Sequence, residues 1–303
     1  MRAPQPPEPE RAAEVRRRFG EEARSGRPDL VTLCLLVGAA GDGALDDAGM
    51  DAAQIELDRL AGQVPFRPGG PRAWALALSE LLGGRYGFHG SPGDYQRLES
   101  SLLHEVLRRR RGLPILLSVV WMEIARRAGA PVYGVALPGH FVVGFGSQEF
   151  GAQEFGAQEF GAQGSGPLEG QVLADPFDGG RLLTGGDAEL LVAGATGAAL
   201  DPSMLTPAAP LDVVLRVLNN IRAWAAARPE QSDVSLWAVE LSLLLPSHPA
   251  RLRYEHAQLL VRRGDFLRGA AELDAYAEVV EGVDPSAGER VRGQAREARA
   301  MLN

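Results

Sequence analysis

The sequence contains no lysine: all 31 of its cationic side chains are arginines. That absence excludes a P-loop lysine, a Schiff-base lysine and a lysine general base together. Cysteine is almost absent too. The single thiol, Cys34, excludes a disulfide framework and any paired-cysteine zinc or redox motif, and suits a reducing cytosol. Positive charge is in deficit, and a formal net charge of −8 runs against the basic footprint of a nucleic-acid binder. Long apolar runs are missing. The longest near the start, Leu30 to Ala40, falls far short of the ~18 residues a spanning helix requires, and the opening MRAPQPPEPE has no apolar signal region. The expectation is a soluble cytoplasmic protein with no membrane partner and no direct nucleic-acid contact. No HExxH, GxSxG, GxGxxG or P-loop pattern occurs, and beyond isolated histidines nothing points to a metal or a cofactor.

What is present is 303 residues, 45% of them hydrophobic, about two domains' length of ordinary globular chain. A Pro-rich tail and a polar helix from about Pro9 to Arg24 make a first segment, 1–28. Residues 29–66 read as further helices, one apolar from Asp29 to about Gly38 and one from Met50 to Gln63 with Ile55, Leu57, Leu60 and Ala61 as apolar positions. Turn chemistry at Arg67 to Pro71 marks a boundary, after which 71–209 reads as a core. Within it Ala73 to Leu82 is helical and Gly83 to Asp94 a loop. Ser101 to Arg110 is an amphipathic helix on Leu102, Leu103, Val106 and Leu107. Leu113 to Ala125 is apolar nearly all round, the pattern of a helix buried in mid-domain. Pro114 fits its first turn, Glu123 and Arg127 stand at i, i+4, and Gly129 followed by Pro131 stops it. Two strand-like runs follow, Val132 to Phe145, broken at Pro138-Gly139, and Val172 to Asp175. Between them a low-complexity loop, 145–170, carries the tandem FGSQE, FGAQE, FGAQE, FGAQG. It reads as a repeat expansion tolerated because loop-closure entropy grows slowly, or else as a recognition tract.

From Leu211 the chain, 211–303, reads as helical to its end. Gly264, Phe266, Ala270, Leu273, Tyr276 and Pro285 are spaced like the small and large positions of a tetratricopeptide unit. A single unit cannot bury its apolar face alone, so this segment is expected to dock on the rest.

Of five histidines only His140 sits in a buried-looking strand (PGHFVV), and Asp175 closes the next one (VLADPF). If the two strands pair as a hairpin, imidazole and carboxylate can face each other. An aspartate that orients a histidine is the base half of a nucleophilic triad, although a core histidine and a turn-initiating aspartate fit the same pattern. Arg108, Arg109, Arg110 and Arg111 are consecutive, so on a helix they cover most of the circumference and some must turn inward toward carboxylate or carbonyl partners. Glu105 stands at i, i+4 before Arg109. An anion-binding role for this cluster, with Glu105 and His89, is the functional alternative to structural clamping. The Arg16 to Arg18 triplet reads as a solvated face.

Tyr86-Gly87-Phe88-His89-Gly90 with Tyr95, the run LHEVLRRRRGLPILLSVVWMEIARRAGAPVYGVALPGHFVVGF, and LADPFDGG together resemble the SirB-type family. The resemblance implies an α+β fold. Its transglutaminase-like (papain-like) core would pack a buried helix on a small antiparallel sheet, preceded by N-terminal helices and followed by a tetratricopeptide-like helical segment. In such a core a Cys at the buried helix's N-terminus attacks an acyl carbonyl, its pKa lowered by the helix dipole and a His. By this similarity His140 and Asp175 match the second and third members of the triad. The nucleophile's place falls near Pro114, and no thiol lies between Leu113 and Gly129. Cys34, in the apolar run LVTLCLLV, behaves as a small hydrophobe. Ser118 lies one turn after Pro114, where its hydroxyl can substitute for the thiol or, as mid-helix serines commonly do, bond the i−4 carbonyl. Three functions follow as expectations. The first is a non-catalytic transglutaminase-like module that binds a protein or peptide or acts as a regulator. The second is a hydrolase or acyltransferase using His140, Asp175 and Ser118 or a water on a peptide or amide. The third is an anion sensor built on Arg108–Arg111.

Overall fold

The computed structural model describes residues 4–65, 69–146 and 170–301. All but the first two residues of the FGAQE tract, and Arg67 and Pro68 of the boundary turn, lie outside that range. Three helices open the chain: α1 (Pro9–Ala23), α2 (Leu30–Gly41) and α3 (Asp47–Ala61). Asp29 caps α2 by accepting the Thr32 N–H at 2.7 Å, and Asp46 caps α3 through Gly49 at 2.8 Å. Met50, Ala53, Leu57 and Leu60 form the buried stripe of α3. Ile55, expected within it, is 66% exposed. Two residues from Leu57 is about 200° around a helix, so Ile55 falls on the opposite face. Arg16, Arg17 and Arg18 are not simply solvated: Arg16 pairs with Glu240 and Arg18 with Asp47, at 3.1 and 2.6 Å.

Helix α4 (Pro71–Leu78) continues as a π-helical turn, Ser79–Arg85, where the sequence suggested a loop from Gly83. Two 3-10 turns, Pro92–Gln96 and Leu98–Ser101, lead to α5 (Leu103–Arg109), which ends because Arg110 takes the left-handed conformation, φ 57°. Next comes α6 (Pro114–Arg127), buried along nearly its whole length, with Glu123 holding Arg126 and Arg127 at 2.7 and 2.6 Å.

The sheet is antiparallel in the order β1 (Val132–Val135), β2 (Val142–Phe145), β3 (Val172–Asp175), β4 (Arg181–Leu183). Side chains alternate between two cores, as the period of a strand requires. Val143, Phe145 and Ala174 face the main core with α6, whereas Val142, Leu173 and Val135 face a smaller one under α7 (Gly185–Thr196). Neither β4 nor α7 was expected from the sequence. The helices α8 (Pro210–Ala226) and α9 (Ser232–Leu244) join the main core through Val214, Val217, Ile221 and Leu241. The last three, α10 (Arg251–Arg262), α11 (Phe266–Glu281) and α12 (Pro285–Ala300), enclose a separate core of Ala257, Ala270, Leu273, Ala277 and Ala295. Among the described residues no helix is long and apolar enough to cross a membrane.

Candidate functional site

Pairing of β2 with β3, Val143 opposite Ala174, brings the residue two positions ahead of β2 beside the end of β3. That residue is His140. It lies in the connection after the Pro138-Gly139 turn rather than inside a strand, because Gly139 takes φ +70° and the chain pairs again only from Val142. His140 Nε2 donates to Asp175 Oδ2 at 2.9 Å, and the two side chains are only 12% and 7% exposed. Asp175 Oδ1 accepts the Phe177 N–H, also at 2.9 Å, so the carboxylate is fixed through both oxygens. The imidazole Nδ1 has no partner among the described residues and is the nitrogen left to meet a reacting or bound group.

The motif residues around this pair have packing reasons. The Phe177 ring stands edge-on to both His140 and Tyr95, with centroids 6.0 and 6.1 Å apart. Gly90 donates to the Phe177 carbonyl at 2.9 Å, and any side chain at Gly90 would run into the Phe177 ring. Gly180 has φ +87°, and a Cβ there would overlap the Trp121 ring of α6, so the turn after Asp175 admits no other residue comfortably. From α8, Arg216 Nη2 donates to the carbonyls of Leu137 and His140 at 2.8 and 2.7 Å, and its guanidinium lies 5.6 Å from the centroid of Phe141. Burial pushes the Arg216 pKa down. The Tyr95 phenol is pushed up by burial and by the Asp175 charge, with Arg216 acting against them.

The candidate nucleophiles are elsewhere. Ser118 is fully buried in α6, and its hydroxyl donates to the Phe141 carbonyl at 3.3 Å, neither to His140 nor to the i−4 carbonyl. Pro114 occupies the first turn of α6 and is buried. Cys34 is buried in α2, where desolvation pushes its thiol up to about 12.

The arginine run fans out around Asp94. Arg108 forks onto Glu105 with contacts of 2.5 and 3.1 Å, so the Glu105 partner is at i+3 rather than the expected Arg109. Arg109 and Arg111 both reach toward Asp94, at 3.5 and 3.7 Å. Asp94 is itself buried and accepts from Ser91 N, Ser91 Oγ and Ser100 Oγ. Arg110 lies over the Tyr86 ring and donates to the Tyr86 carbonyl. Arg111 also donates to His89 Nε2 at 2.6 Å, while His89 Nδ1 bonds Gly87 O. Arg109, Arg110 and Arg111 thus tie the Tyr86–Tyr95 segment to the end of α5 and the residues just after it, whereas Arg108 stays on Glu105 of its own helix.

One group of possible metal donors comes together that the sequence did not bring out. Ligand atoms of Asp42, His104 and Glu105 lie within 4.8 Å of one another, and His104 Nε2 is 3.2 Å from Asp42 Oδ2. The donor set fits a metal poorly. Both Glu105 oxygens are taken by Arg108, and the sealed His104 Nδ1 has no acceptor to orient a ligating ring. Sequence reasoning also missed Arg216 and Asp94. The only signal for Arg216 was an arginine bordering the apolar stripe of α8.

A buried helix laid on a four-stranded antiparallel sheet, with a His–Asp pair at the adjoining ends of two strands, defines a transglutaminase-like domain, here followed by paired helices. The chain belongs to the transglutaminase-like superfamily, whose profile matches residues 51–219, and a tetratricopeptide-repeat profile matches 221–303. It is 31% identical over 192 residues to a UPF0162 protein of Xylella fastidiosa, covering 59% of this chain and 60% of that one. A UPF0162 protein of Pseudomonas aeruginosa is 31% identical over 132 residues, 43% of this chain and 41% of its own. The human F-box only protein 21 is 36% identical over 67 residues, 22% of this chain and 11% of its own. The matched stretch thus spans about three-fifths of the length of the Xylella relative.

Proposed function

We propose that this chain is a SirB-type, non-catalytic transglutaminase-like module that binds a protein or peptide in the cytoplasm, with its core (71–209) and C-terminal helices (211–303) contributing to one binding protein. The observation that carries the reading is a formed His140–Asp175 pair to which no nucleophile among the described residues is bonded. Pro114 stands in the first turn of α6, where the resemblance places the thiol. Ser118 is turned to Phe141 O, and the buried Cys34 has its thiolate suppressed by desolvation. Acyl transfer needs a base within hydrogen-bond reach of its nucleophile, and neither side chain offers that. The tetratricopeptide helices add support, since such stacked pairs expose extended surfaces for partners.

The test is turnover. The intact protein is incubated with a glutamine-containing peptide and a primary amine, and release of ammonia and formation of the conjugate are followed. The expected rate equals that of buffer. Sustained turnover that His140→Ala abolishes overturns the reading and favours the alternative, a hydrolase or acyltransferase using a water or Ser118.

A further inference from the structure

We infer that the surface beside the His140–Asp175 pair recognises a peptide carboxylate through Arg216. The inference rests on the peptide-binding reading above and names what that site reads. Its starting point is a half-buried guanidinium without a counter-charge. Arg216 Nη2 is held by the Leu137 and His140 carbonyls, and among the described residues no carboxylate lies within ion-pair distance of the group. Three other enclosed arginines are neutralised: Arg109 faces Asp94, Arg127 faces Glu123 and Asp58, and Arg222 faces Glu255. A cation taken partly out of water is stabilised by an anionic partner, and the described residues supply none.

The surroundings supply the rest of a recognition site. The pair's own acid, Asp175, is already held by His140 and the Phe177 N–H and forms no ion pair with Arg216. Tyr95, next to Phe177, is 47% exposed, and its phenol has no hydrogen-bond partner among the described residues. His140 Nδ1 is likewise open. With both Nη2 hydrogens directed at carbonyls, Nε and Nη1 remain as donors and are joined by the Tyr95 phenol, while His140 Nδ1, on a ring whose proton is committed to Asp175 through Nε2, offers an acceptor beside them. One cation and one phenol donor beside an acceptor nitrogen match a monoanion such as a carboxylate better than a phosphate dianion. Because Arg216 grips the backbone on either side of the Pro138-Gly139 turn, an occupant of the guanidinium would also be registered at His140.

The experiment titrates the full-length protein with three capped peptides, followed by NMR of the His140 ring and the Arg216 Nε–H. The probes are Ac-Ala-Gln-Ala with a free C-terminus, the same peptide amidated, and amidated Ac-Ala-Glu-Ala. At least one carboxylate peptide is expected to bind tenfold or more tightly than the neutral one, consistent with a charge-assisted hydrogen bond. It should move both reporter signals, and Arg216→Gln should erase the preference. Which carboxylate peptide wins identifies a C-terminal or a side-chain group as the source. Equal affinities, no binding by either carboxylate peptide, or a preference indifferent to Arg216→Gln each overturns the inference. If Arg216→Gln does not fold, the wild-type affinity ratio, the Arg216 signal and the exposed-ring variant Tyr95→Phe decide in its place. Binding of all three peptides alike would leave the peptide-binding reading standing and remove only its carboxylate. Turnover of the neutral peptide, lost in His140→Ala, would sink the non-catalytic reading while the affinity ratio still answers this one.

Discussion

Replacing Asp94 tests whether the arginine run is a clamp. The carboxylate is 3% exposed and accepts three hydrogen bonds of 2.8 to 3.0 Å from Ser91 N, Ser91 Oγ and Ser100 Oγ, with Arg109 and Arg111 just beyond. In Asp94→Ala the two hydroxyls can rotate toward other acceptors and Arg111, the more exposed arginine, can rehydrate. The Ser91 N–H and the Arg109 guanidinium cannot do so easily. An orphaned buried donor costs about 1–3 kcal/mol, and removing one partner of a buried ion pair about 3–5 kcal/mol. Because both ion pairs are long, the expected loss lies near the lower end, about 3 kcal/mol. Asp94→Asn keeps one acceptor oxygen and should lose about half as much. Urea unfolding at pH 7 measures both. Burial by itself would raise the Asp94 pKa, but the Ser91 and Ser100 bonds and Arg111 outweigh it and hold it below its ordinary value. The stability it contributes is therefore complete above the unfolded-state pKa of about 3.9 and is lost as pH falls through the lower folded value. The gap between wild type and Asp94→Ala should narrow only in strong acid. A loss under about 1 kcal/mol at pH 7 would refute the clamp, as would a gap unchanged at pH 3.

Gly180→Ala should destabilise by about 3 kcal/mol, from left-handed strain plus overpacking against Trp121, and a loss under about 1 kcal/mol in the same assay would contradict the turn geometry. His256 in α10 bonds Glu272 at 2.5 Å and approaches Glu240 of α9. Burial lowers its pKa, but the two carboxylates prevail and raise it. Its contribution is thus full below the ordinary histidine value of about 6.5 and lost as pH rises through the raised one. Thermal melts from pH 6 to 8.5 should show a decline that His256→Gln flattens, and parallel slopes would count against it. Cys34 should resist iodoacetamide in the folded protein and react at once in urea. Rapid labelling of the native state by mass spectrometry would show that α2 is not packed as described.

The helices and the central hairpin were legible because they rest on local patterns. The apolar run of α6 and the stripe of α5 mark themselves, and the short strands on either side of Asp175 and His140 carry the PGHF and DPFDGG motifs. The facing of His140 and Asp175 follows once those strands are paired. What stayed hidden depends on distance or on weak local signals. Three residues of β4 carry no periodicity of their own and pair only because β3 is there. Helix α5 stops at Arg109, two residues before the arginine run does, and within it Arg109 turns to the distant Asp94 and leaves Glu105 to Arg108, a choice helical spacing does not reveal. Arg216 lies far along the chain from the two carbonyls it holds, and no pattern within α8 announces them.

The division of the buried apolar side chains among three clusters has a consequence for how the molecule comes apart. Repeat spacing groups α8 through α12 together, yet α8 and α9 share their interior with α6 while α10 to α12 enclose their own. Local opening follows shared burial more than sequence kinship. Hydrogen exchange should therefore divide this chain after Leu245: amides of α8 and α9 would exchange in step with those of α6, and the last three helices would open as an independent cooperative unit.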